Sequence, residues 1–81
     1  MSTVTVQLFA SYADLLGAAS VQLPLAPGAT VQDLIQDIRA LPGASAIPTA
    51  PRVAVNRAFA SPQRVITSSD EIALIPPVAG G

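Results

Sequence analysis

The sequence predicts an α+β fold in which one mixed sheet wraps a single main helix. Three observations carry that expectation. Residues 3–9 alternate polar and apolar side chains, the period of a strand with one buried face. Residues 31–41 repeat apolar side chains at the 3.6-residue period of an amphipathic helix. Residues 52–75 hold several short apolar runs separated by turn-forming residues. At 81 residues the chain is read as one domain, residues 1–81, near the lower size limit for a core that stands without staples. It has no cysteine, so no disulfide supplements that core.

Taken in order, Thr3-Val4-Thr5-Val6-Gln7-Leu8-Phe9 places Val4, Val6 and Leu8 on one strand face and Thr3, Thr5, Gln7 and Phe9 on the other. Phe9 is the odd large apolar residue on the polar side. Asp14-Leu15-Leu16-Gly17 reads as one helical turn closed by glycine, and Val21-Gln22-Leu23-Pro24-Leu25 as a second strand. Pro27-Gly28 marks a turn, after which Thr30 caps a helix with Asp33 completing a capping box. Val31, Leu34, Ile35, Ile38 and Leu41 form its apolar stripe, with Gln32, Gln36, Asp37 and Arg39 opposite. The helix ends at Pro42-Gly43, and residues 43–51 are expected to be a loop too poor in large apolar groups to form a core element. Arg52-Val53-Ala54-Val55 is a short strand running into Asn56, a residue that tolerates turn geometry, with Ala58-Phe59-Ala60 returning from it. Gln63-Arg64-Val65-Ile66 is either another short strand or a single turn. The last strand, Glu71-Ile72-Ala73-Leu74-Ile75, is entered through Ser68-Ser69-Asp70, with Ile72 and Leu74 facing one way and Ala73 and Ile75 the other. This order of elements is that of a β-grasp.

Composition narrows the function classes. Hydrophobic residues make up 51% and charged residues 11% of the chain, a globular balance that disfavours disorder. The net charge is −1 and the four basic residues are scattered arginines, so there is no basic stripe and nucleic acid is not an expected partner. Pro24, Pro42, Pro48 and Pro76-Pro77 break the apolar stretches well short of the roughly 20 residues of a membrane span. Residues 1–10 lack the layout of a signal peptide, so no membrane association and a cytoplasmic location are expected. With neither cysteine nor histidine, thiolate nucleophiles, imidazole bases and the usual zinc ligands are missing, and no metal site is expected. Arg39, Arg52, Arg57 and Arg64 read as solvated surface charges.

The informative stretch is IALIPPVAGG, residues 72–81. Pro76 and Pro77 fix φ and remove donors, which stops sheet pairing; an ordinary strand stop is the plain alternative. At a glycine usage of about 7%, two adjacent terminal glycines arise by chance in roughly 0.5% of chains, so Gly80-Gly81 asks for a reason. A flexible tail over residues 76–81, following directly on a rigid strand, presents one chemical group: the terminal carboxylate.

The element order, the helix and above all Asp70-Glu71-Ile72-Ala73-Leu74-Ile75-Pro76-Pro77-Val78-Ala79-Gly80-Gly81 resemble the MoaD family, the ubiquitin-like small sulfur-carrying subunits of molybdopterin synthase. Leu8-Phe9-Ala10 and Val53-Ala54-Val55-Asn56 are supporting landmarks. The chain departs from the family pattern in Ser11-Tyr12-Ala13-Asp14, which has no basic residue, and in lacking lysine. The resemblance implies that Gly81 is adenylated by an ATP-dependent, E1-like activating enzyme and converted to a covalent thiocarboxylate. It further implies presentation to the large subunit of molybdopterin synthase, in a heterotetramer with two copies of each, which inserts sulfur into a cyclic pterin precursor. No bound cofactor is implied, and the chain is not expected to be catalytic alone. Gly80 and Gly81 then let the tail thread narrow channels that a Cβ would obstruct, with Val78 and Ala79 completing it.

A docking surface is expected at Phe9, Phe59 and Ile75, apolar groups assigned to outer positions; alternatively Phe59 closes the bottom of the core. The rival functions are a thiocarboxylate carrier for thiamine or cysteine synthesis, a ubiquitin-like interaction module with an inert tail, and a modifier joined to lysines through Gly81.

Overall fold

The structure, a computed structural model, describes residues 2–48 and 51–76. Five strands and two helices follow one another as β1 (Ser2–Leu8), α1 (Ala10–Leu16), β2 (Ser20–Leu25), α2 (Val31–Arg39), β3 (Arg52–Val55), β4 (Ala58–Phe59) and β5 (Ile72–Ile75). They form one mixed sheet in the order β2-β1-β5-β3-β4, with β1 and β5 parallel at its centre and the other pairs antiparallel. The expected mixed sheet around a main helix is present. Residues 77–81, and with them the expected tail at Pro77, Val78, Ala79, Gly80 and Gly81, lie outside the described residues.

Strand alternation sets the core. Val4, Val6 and Leu8 of β1 and Ile72 and Leu74 of β5 are buried, and they meet Val31, Leu34, Ile35 and Ile38 of α2. Each such side chain contributes roughly 1.5–3 kcal/mol when fully buried. Helix α2 is fixed at its start by a complete capping box: the Asp33 N–H donates to Thr30 Oγ1 at 3.3 Å, and the Thr30 N–H donates to Asp33 Oδ2 at 3.0 Å. Residues 63–66 form no strand: a turn closed by the Arg64 N–H on the Ser61 carbonyl, at 3.1 Å, runs through Gln63. Val65 makes one isolated antiparallel bridge to Thr30, and Ile66 enters the core.

Three expectations need correction. The first helix begins at Ala10, one turn earlier than Asp14, and carries Tyr12 into the core; no apolar period announces so short a helix. The loop after α2 does supply core residues: a 3-10 turn, Ala44–Ala46, buries Ala44, and Ile47 is buried beside it. A single Ile among small residues suffices because Gly43, at φ +85°, brings the turn against the Leu15 carbonyl. Nor are all the arginines simply solvated. Arg39 Nε–H donates to the Ile47 carbonyl at 3.0 Å and holds that loop on α2, while Arg52 and Arg57 make the contacts described next.

Candidate functional site

One half of the outer sheet face is polar and the other apolar. The registers place Gln7, Ala73, Ala54 and Phe59 side by side across β1, β5, β3 and β4. Arg52 lies opposite Ile75 in the adjacent row. Toward β2 the same face carries Thr3, Thr5, Ser20 and Gln22, all exposed.

The structure brings Phe9, Phe59 and Ile75 together. They line one cleft of about 220 Å³ whose other walls include Ala54, Ala73 and Arg57. Phe59 is 65% exposed and Phe9 47%, whereas Ile75 is half-buried. Phe59 therefore does not close the core. Phe9 also occupies the N-cap of α1, where its side chain offers no hydrogen bond to the helix and a Ser, Thr, Asp or Asn would stabilise by about 1 kcal/mol. An aromatic half in solvent at a position that favours a polar cap is not explained by folding.

The cleft runs along β5 from Glu71 to Ile75, where the chain leaves the sheet. Strand β5 ends at Ile75, and Pro76, half-buried, takes no part in the ladder. Because β1 and β5 run parallel with Leu8 beside Leu74, Phe9 and Ile75 mark the same end of the sheet. A larger hollow lined by Ser2, Leu25, Asp33, Asp37 and Val65 is at the opposite end of β1, away from this exit.

Two hairpin arginines, missed as site residues from sequence, flank Phe59: Arg57 lines the cleft, and Arg52 lies in the neighbouring hollow. Arg52 places its guanidinium carbon 5.2 Å from the centre of the Phe59 ring, within cation–π range. Arg57 follows Asn56 in the two-residue β3–β4 turn, with φ +70° and +53° respectively. Such a turn favours Asn-Gly. An arginine in the glycine place is destabilising by about 1 kcal/mol, and its side chain is 87% exposed with Nε 3.6 Å from Glu71 Oε1.

Asn56 also locks the hairpin to the approach of β5. Its side chain donates to Asp70 Oδ1 at 2.9 Å and accepts from the Glu71 N–H at 2.9 Å. Its own N–H donates to the Glu71 carbonyl at 2.8 Å. The Thr67 N–H donates to Asp70 Oδ2 at 2.8 Å. That backbone donor, and next the Asn56 side chain, hold the Asp70 carboxyl below its ordinary pKa. The sequence landmarks around Asn56 and Asp70 are thus one hydrogen-bonded unit. Burial acts in the other direction on Tyr12: desolvation raises its pKa, and its hydroxyl has no hydrogen-bond partner among the described residues. Nor do the described residues gather three or more metal-ligating side chains, and no described helix is long and apolar enough to cross a membrane.

Comparison with known proteins places this architecture. The model described as the ThiS family matches residues 6–81. The molybdopterin synthase sulfur carrier subunit of Arabidopsis thaliana is 27% identical over 79 residues, which cover 96% of this chain and 82% of that protein. The crystal structure of SAMP1 from Haloferax volcanii superposes with a TM-score of 0.84 at 26% identity, covering 99% of this chain and 100% of that one. A complex of subunits 1 and 2 of the molybdopterin-converting factor from Helicobacter pylori contains a chain with TM-score 0.70 at 19% identity, covering 98% of this chain and 99% of that one. At that identity the likeness is one of fold.

Proposed function

The chain belongs to the ThiS family, and on that premise we propose that it is the sulfur carrier subunit of molybdopterin synthase, with the carboxylate of Gly81 as its reacting group. The observation that carries the reading is a coincidence: an exposed cleft lined by Phe9, Phe59 and Ile75 runs along β5 up to Ile75, the last residue of the strand. A docked partner would receive whatever follows Pro76.

The chemistry explains why docking and tail belong together. A terminal carboxylate, with a pKa of about 3.5, is ionised at neutral pH and a poor electrophile. In the proposed cycle an E1-like enzyme joins a carboxylate oxygen to the α-phosphorus of ATP, and pyrophosphate leaves. A reduced sulfur donor then attacks the acyl carbon, displacing AMP and leaving a thiocarboxylate. Its sulfur is the nucleophile delivered to a cyclic pterin precursor in the large subunit's active site, and hydrolysis returns the carboxylate. Docking makes that delivery local, with the positioning advantage of an intramolecular reaction. The chain has no cysteine or histidine, and in this reading its own contribution is to bind, orient and carry.

The likeness to SAMP1, whose full name is small archaeal modifier protein 1, supports a second reading in which activated Gly81 is joined to amines of other proteins. The chain lacks lysine, so it offers no side-chain amine to a second copy of itself. Adenylate formation with the activating enzyme, followed by pterin conversion using the thiocarboxylated chain, tests the first reading. Sulfur transfer that stops when Gly81 is deleted supports it. Amide adducts on target lysines without pterin conversion would favour the second reading, and normal conversion without Gly81 would refute the carrier role.

A further inference from the structure

The outer face carries charge as well as apolar surface. Of the four arginines, Arg57 lines the Phe9–Phe59–Ile75 cleft and Arg52 stacks on Phe59 beside it, and of the five side-chain carboxylates Glu71 lines the cleft. Asp14 is on α1, Asp33 and Asp37 are on α2, and Asp70 is engaged by Thr67 and Asn56. Asp70 keeps its charge beside Asn56, so the face is of mixed sign, with Arg52 and Arg57 as its exposed cations.

Neither arginine is accounted for by the fold. Arg52 has no carboxylate within salt-bridge distance among the described residues and rests on Phe59. Arg57 stands at φ +70° where glycine would be unstrained, and its single carboxylate contact reaches only Nε, at 3.6 Å. A positively charged side chain kept at a strained position beside an apolar cleft points to a role outside the folded chain.

We infer that the protein partner docking on this face carries an acidic rim, and that Arg52 and Arg57 select it by taking its carboxylates. The guanidinium fork suits paired hydrogen bonds to a carboxylate, and charges at an interface rim govern choice of partner and encounter rate more than total affinity. Helix-side carboxylates would repel the same acidic surface, so orientation is specified as well. This inference rests on the docking reading given above.

The test measures binding to the purified molybdopterin synthase large subunit from the same organism, in salt of about 0.1 M and about 1 M, between which the Debye length falls from about 10 Å to about 3 Å. In low salt, Arg52→Gln and Arg57→Gly each raise Kd about threefold to fivefold and the pair about tenfold, and the differences shrink toward none in high salt. Arg57→Gly does so with a melting temperature equal to or above that of the parent, because it relieves the turn; a merely structural arginine would not separate the two readouts. If both variants bind with parental affinity and salt dependence while Phe59→Ala binds poorly, the acidic rim is wrong and the docking reading survives. Failure of the parent chain itself to bind overturns the docking reading and this inference together.

Discussion

Asn56 and Asp70 are fourteen residues apart and share a hydrogen bond of 2.9 Å, so the approach to β5 depends on a carboxylate's charge. The sign follows from its depressed pKa. Asp70 contributes stability that is complete above the ordinary carboxylate value of about 3.9 and is lost as pH falls through the lower folded value. Asp70→Ala should lower the melting temperature at pH 7 and leave a melting curve that varies less with pH below 4; equal pH dependence in both proteins would contradict this. Two glycines give a sharper comparison. Gly17, at φ +67°, has nothing within 4 Å of an added Cβ, whereas at Gly43, with φ +85°, that atom would stand 2.7 Å from the Leu15 carbonyl oxygen. Gly17→Ala should destabilise by about 1 kcal/mol, from conformation alone, and Gly43→Ala by more, since backbone must also shift. Urea titration of both variants decides it.

Among the elements, α1 and β2 show what the fold gives up at its borders. Phe9→Ser at the N-cap of α1 gains about 1 kcal/mol of capping and loses burial of a side chain already 47% exposed, worth about as much. Thermal stability should therefore stay close to the parent while binding to the large subunit weakens; a collapse in stability would show that Phe9 belongs to the core. Strand β2 is a sheet edge. The Leu8 N–H donates to the Ala19 carbonyl, so by alternation Ser20, Gln22 and Pro24 turn their backbone groups to the open side. Pro24 interrupts that row, a recognised protection against edge pairing. Pro24→Val restores the donor and should raise self-association in sedimentation experiments; sedimentation identical to the parent would refute the protective role. Elements with a period were legible in the sequence: β1 by alternation, α2 by its stripe and its Thr30–Asp33 cap. The last turn of α1 and its Gly17 cap were legible too; its first turn and the 3-10 turn were not, because Tyr12, Ala44 and Ile47 are buried by contacts between distant segments and show no local pattern.

At the scale of the molecule, the sheet's inner face makes the core and its outer face divides into a polar half and an apolar half beside the end of β5. The apolar set Phe9, Phe59 and Ile75 could be read from sequence because alternation and a turn placed each of them outward. Arg52 and Arg57 could not, since charge on a surface is ordinary and only the hairpin geometry shows one stacked and the other strained. The C-terminal glycines gave the chemical expectation, which rests on sequence and family membership, residues 77–81 being outside those described. The proposed role requires Gly81 to carry sulfur. Its most direct test is the intact mass of the protein recovered from its native host under conditions that preserve thioacids. A population in which one terminal oxygen is replaced by sulfur is expected, and it vanishes when the activating enzyme is deleted. A single unmodified mass, with the activating enzyme present and molybdopterin being made, would contradict it.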